Sequence, residues 1–152
     1  MVGLATSKVD LSSHCHSFAS FLGHDSSSWG YSYHGYTQHA GTKVRFGSKW
    51  GKGDVVGVHL DTWRGHVYFY HNGKLQGLAF TGLQGLDLVP IVCSTAAKSE
   101  IKLVTARSFA NTLQFECFRS LSQKLPRSDL LDIHLPPGLR YCNLCILDDN
   151  LY

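Results

Sequence analysis

Residues 55–80 read VVGVHLDTWRGHVYFYHNGKLQGLAF. VVGVHLD (55–61) alternates, which sets Val56, Val58 and Leu60 on one side of an extended chain. HVYFY (66–70) is aromatic and β-branched, a composition that fits a pleated, half-buried surface. TWRG links the two and ends in Gly65. HNGK (71–74) follows. A type I′ turn needs positive φ at both central residues, and Asn72-Gly73 supplies them, so a tight hairpin is predicted with LQGLAF (75–80) as its return strand.

LDLVPIVC (86–93) is a further predicted strand. Pro90 donates no ladder hydrogen bond, so this strand belongs at an edge or a bulge. SEIKLV (99–104), with apolar Ile101 and Val104, is expected to add another. The chain has 15 Gly, mostly between short strands, as in an antiparallel β-sandwich. Upstream, SSHCHSFASFLGHDSSSWG (12–30) is a Ser-rich excursion in which Phe18, Phe21 and Leu22 form one helical turn ended by Gly23. The strands counted are too few for a closed sandwich, and the first begins at Met1. The expectation is therefore a C-terminal piece, or a short form, of a longer β-domain.

Near residue 105 the character of the sequence changes. No Gly occurs from 105 to 137, and TARSFANTLQFECFRSLSQKL (105–125) has helical spacing up to Pro126. Leu113, Cys117 and Leu121 fall at i, i+4 and i+8, one apolar stripe. Such a stripe either packs back on its own sheet or docks in a partner's groove. A small thiol between two leucines permits close approach of a partner. SDLLDI is expected to start a second short helix capped by Ser128, and LPPGL (135–139) to be extended.

A length of 152 residues suits one domain with a small appendage. The net charge of +3 is spread along the sequence, so no phosphate-tracking stripe and no nucleic-acid partner are expected. No apolar run is long enough to span a membrane, and no signal-peptide order opens the chain. The five Cys (15, 93, 117, 142, 145) do not form a disulfide framework; free thiols in a cytoplasmic or nuclear setting are expected. Cys142 and Cys145 make one C-x-x-C with only His134 nearby, and His14, Cys15 and His16 are adjacent, so no metal site is predicted. No G-x-S-x-G elbow, phosphate loop or carboxylate pair is present, so the chain is expected to be non-catalytic and to need no cofactor.

LGHDSSSWGYSY, the 53–80 stretch and LVPIVCSTAAKSEIKL resemble a SPRY domain in order and spacing. Thr112, Leu113, Cys117 and Leu121 resemble the elongin-binding pattern of a SOCS box. Leu135, Pro136, Pro137 and Leu139 resemble its cullin-facing half, with His134 where that pattern prefers another residue type. The chain is thus similar to the SPRY domain-containing SOCS box family. The resemblance implies a mainly β fold, a partial SPRY sandwich over 1–106 and a small helical SOCS box over 107–152. It implies a non-catalytic adaptor that holds a substrate peptide and recruits elongin C, elongin B and a cullin, of the cullin-5 type, with its RING protein. The alternative is a stand-alone SPRY peptide-binding module. The family's peptide pocket maps to Phe18, Phe21, Thr95, Ala96 and Ala97, where this sequence lacks the family's tyrosine and tryptophan, so an altered peptide preference is expected.

Overall fold

The computed structural model describes residues 1–12, 21–96, 98–108, 110, 112–122, 124–126 and 129. The chain divides after Ile101 into two compact units.

The first unit holds eight strands: β1 (Val2–Thr6), β2 (Ser28–Tyr31), β3 (Tyr36–His39), β4 (Thr42–Arg45), β5 (Val56–Asp61), β6 (His66–His71), β7 (Lys74–Phe80) and β8 (Leu88–Val92). They form a five-stranded sheet in the order β4-β3-β2-β1-β8 and a three-stranded sheet in the order β5-β6-β7. Every pairing is antiparallel. The hairpin forms as predicted, with Asn72 at φ 49° and Gly73 at φ 78°. Pro90 lies on β8, at the edge of its sheet.

The two sheets meet through a small aromatic core. Leu4, Trp29 and Tyr31 from one sheet pack with Val67 and Phe69 from the other, and Leu83 joins them. The ring of Phe69 lies 5.0 Å from Tyr31, 6.2 Å from Phe46 and 6.3 Å from Phe80. Burying a side chain like Phe69 contributes roughly 1.5–3 kcal/mol. Val56, Val58 and Leu60 face this core, as their alternation predicted. The opposite face of β5-β6-β7 carries His59, Tyr68 and Tyr70 with exposed Leu75 and Leu78.

Several expectations are corrected. Three strands lie in 28–45, where none was predicted. Residues 99–104 form no strand: Ile101, Leu103 and Val104 are exposed, and among the described residues β8 pairs only with β1. Phe21 and Leu22 are not helical; Leu22 turns inward and is fully buried. The helix α1 is confined to Leu113–Ser122, with 105–108, 110 and 112 irregular. Of the expected helix at Ser128 only Asp129 is described, and it is helical; the extended segment 135–139 lies outside the described residues.

Candidate functional site

Strand register places several loops at one end of the sandwich. Val2 sits opposite both Tyr31 and Val92, so Ser32–Gly35 and Cys93–Ala96 leave the five-stranded sheet side by side. The Met1 amine donates to the Cys93 carbonyl (2.6 Å), and the Cys93 amide returns a bond to the Met1 carbonyl (2.9 Å). Met1 and Leu22 both lie against Gly30: a Cβ there would fall 2.8 Å from Leu22 Cβ and 2.9 Å from Met1 Cε. Phe21 is half-buried and precedes Leu22 in the chain, and Thr95 follows two residues after Cys93. Thr95 and Ala96 are exposed on a turn held by Ser94, whose Oγ accepts from the Ala96 amide (3.2 Å) and contacts Ser99 Oγ (2.6 Å). Phe18 and Ala97 lie outside the described residues.

The loop after β4 closes the same end. Phe46 and Gly47 amides donate to the Gly35 carbonyl, and the Trp50 amide donates to Tyr33 (3.0 Å). Tyr33 is 48% exposed, with its ring 4.0 Å from His34 and 6.3 Å from Trp50. The Tyr31 hydroxyl donates to the Ser48 carbonyl at 2.6 Å. Burial pushes that phenol above its ordinary range, and the bond to Ser48 opposes the shift.

Ser48 then joins this loop to the hairpin. Its Oγ lies 2.6 Å from His71 Nδ1 and 2.9 Å from Gln76 Oε1, which also accepts the Ser48 amide at 2.9 Å. His71 Nε2 is 3.3 Å from Asp54 Oδ2. Asp54 accepts from Asn72 Nδ2 (2.8 Å) and the Gly51 amide (2.8 Å). Asn72 Oδ1 accepts from the Val55 amide at 2.8 Å. The Asp54 carboxyl is held below its ordinary range, chiefly by the Asn72 amide, then by the Gly51 amide, with smaller help from His71 against desolvation. The Ser48, His71 and Asp54 order has the look of a nucleophile relay. The Ser48 amide, the natural oxyanion donor, is however engaged by Gln76. The arrangement works as a clasp between loop and hairpin. Sequence reading missed it because its members come from separate segments; the Asn-Gly signal located only the hairpin.

The second unit carries α1. The Thr112 carbonyl accepts the first helical bond from Glu116 (3.1 Å), and Glu116 lies in the first turn, where a negative charge suits the helix dipole. Leu113 is 83% exposed, and Thr112, Cys117 and Leu121 are also exposed. Cys93 and Cys117 carry free thiols. Leu135, Pro136, Pro137 and Leu139 lie outside the described residues, as do His14, Cys15, His16, His134, Cys142 and Cys145. Among the described residues no cluster of His, Cys, Asp or Glu could hold a metal, and no helix is long and apolar enough to cross a membrane.

The SPRY domain family matches residues 1–107. The chain belongs to this family. The proteins called SPRY domain-containing SOCS box protein 3 in Xenopus tropicalis and Xenopus laevis are each 49% identical over 142 residues, 92% of this chain. The chain spans 39% of their length. F-box/SPRY domain-containing protein 1 of Caenorhabditis elegans is 29% identical over 111 residues, 68% of this chain and 33% of its own length. The frog matches cover so much of the chain that they run past the SPRY part; the nematode match is close to the SPRY part in length.

Proposed function

We propose that this chain is a non-catalytic, substrate-recognition adaptor of an elongin B/C–cullin–RING ubiquitin ligase, acting in the cytoplasm or nucleus. The SPRY part, 1–106, holds a substrate peptide at the loop end built from Phe21, Tyr33, Trp50, Thr95 and Ala96. The SOCS box, 107–152, offers Thr112, Leu113, Cys117 and Leu121 to elongin C. Leu135, Pro136, Pro137 and Leu139 face a cullin of the cullin-5 type. Holding substrate lysines beside a charged carrier enzyme raises their effective concentration without any chemistry by the adaptor.

The observation that carries this reading is the exposure of the Leu113, Cys117 and Leu121 stripe. An exposed leucine on a helix face has apolar area to bury against a partner. The name of the frog relatives, and a match that runs past the SPRY part, support the same assignment. Pull-down from cell extract tests it. The chain is expected to recover elongins B and C, and the double change Leu113→Ala with Cys117→Phe to lose most of that recovery. Equal recovery by both forms would remove the ligase reading.

A further inference from the structure

Arg45, Lys49 and Lys52 fall within eight residues of one another, and the Ser48 bonds to His71 and Gln76 bring the hairpin that carries Lys74 to the same loop. Arg45 ends β4, Lys49 and Lys52 stand on the clasped loop, and Lys74 opens β7 beside the hairpin turn. All four are exposed, and none makes an ion pair among the described residues. The acid nearest in sequence, Asp54, has both oxygens engaged by Gly51, Asn72 and His71. Its charge is tied to those partners, and it is one carboxylate beside four cations. The Tyr33 ring, with His34 and Trp50, forms an aromatic ledge joined to that loop. The ledge is anchored by the Trp50-to-Tyr33 and Phe46-to-Gly35 backbone bonds. The clasp fixes the loop before any partner arrives, so little ordering entropy is lost on binding.

We infer that this end selects acidic peptide segments, with Arg45, Lys49, Lys52 and Lys74 meeting carboxylates and the Tyr33–Trp50 ledge taking an apolar or aromatic side chain between them. This rests on the reading that the SPRY end holds a substrate peptide, and it names the charge class of that peptide. Charge complementarity of this kind sets partner choice and association rate.

Fluorescence anisotropy with the 152-residue chain tests it. Three labelled peptides of equal length are compared: Asp-Glu-Tyr repeats, Asn-Gln-Tyr repeats and Lys-Arg-Tyr repeats, together with a thymidine oligonucleotide. The acidic peptide is expected to bind about tenfold more tightly than the amide peptide at about 50 mM salt, and the preference to shrink towards about 500 mM. Lys49→Glu with Lys52→Glu is expected to abolish the preference at an unchanged melting temperature; Lys8→Glu, an exposed cation elsewhere, leaves it intact. Equal affinity for acidic and amide peptides overturns the inference. So does oligonucleotide binding as tight as the acidic peptide's, which marks a general polyanion surface. If the amide peptide binds as tightly as the acidic one and Phe21→Ala removes both, the charge inference falls while the peptide-binding reading stands. If no peptide binds and elongin capture persists, the inference falls along with the assignment of peptide binding to this end.

Discussion

At the residue scale, Asp54 shows how one carboxylate organises a loop. Its folded-state pKa is lowered by the Asn72 and Gly51 bonds. A depressed pKa contributes stability that is present above the unfolded value, about 3.9, and lost as pH falls through the folded value. The melting-temperature gap between the chain and its Asp54→Asn variant should be steady near pH 5 and close below about pH 4. A gap that stays constant down to about pH 2 would show that the carboxylate charge is not its source. None of this was legible in the sequence. Ser48, Asp54, His71 and Gln76 lie in different segments, and only folding makes them neighbours.

At the element scale, legibility followed how strongly each segment declares itself. β5, β6 and β7 were readable because alternation, aromatic content and the Asn-Gly turn agree. β2, β3 and β4 are four-residue strands rich in Gly, Ser, Thr, Gln, His and Lys. β4 is exposed throughout, so it has no buried face to reveal a period. Tertiary bonds place them instead: Ser28 Oγ accepts from the Gly23 amide and donates to Asp25, and the Trp29 and His39 rings stack at 4.7 Å. The segment 99–104 misled in the other direction: its apolar residues fit a strand in composition, yet they stay exposed and take no strand pairing. The stripe of α1 was legible because period 3.6 needs only its own residues, whereas the irregular backbone before Leu113 was not. β1 is the element on which the five-stranded sheet turns, because it pairs both β2 and β8. A Cβ on Gly3 would fall 1.9 Å from the Trp29 carbonyl oxygen and 2.9 Å from Gly30 Cα. Both are backbone atoms, so relief requires the strands to part. Gly3→Ala should destabilise the chain by about 1–3 kcal/mol in chemical denaturation, at the upper end if the ladder breaks. An unchanged midpoint would mean that β1 does not pair as described.

At the scale of the whole molecule, the two proposed activities are assigned to different units, and the joining segment offers a way to separate them. Ile101–Ser108 has neither helix nor strand, and its residues are exposed. It carries Lys102 and Arg107. A protease cleaves extended backbone it can pull into its own cleft, so local order around each basic residue decides the sequence of cuts. Six other candidate sites are better held. Lys43, Arg45 and Lys74 are in strands, Arg64 bonds Asp61, and Lys49 and Lys52 sit on the clasped loop. Brief trypsin treatment read by mass spectrometry should therefore cut first, among these positions, after Lys102 and Arg107. The fragments 1–102 and 1–107 should accumulate, keep the acidic-peptide preference and lose elongin capture. A first cut after Lys49 or Lys52 would contradict the clasp. Loss of both activities in the same digestion step would contradict the division of labour between SPRY end and helix face, because a peptide site built only from residues before 102 has no reason to follow the fate of Leu113.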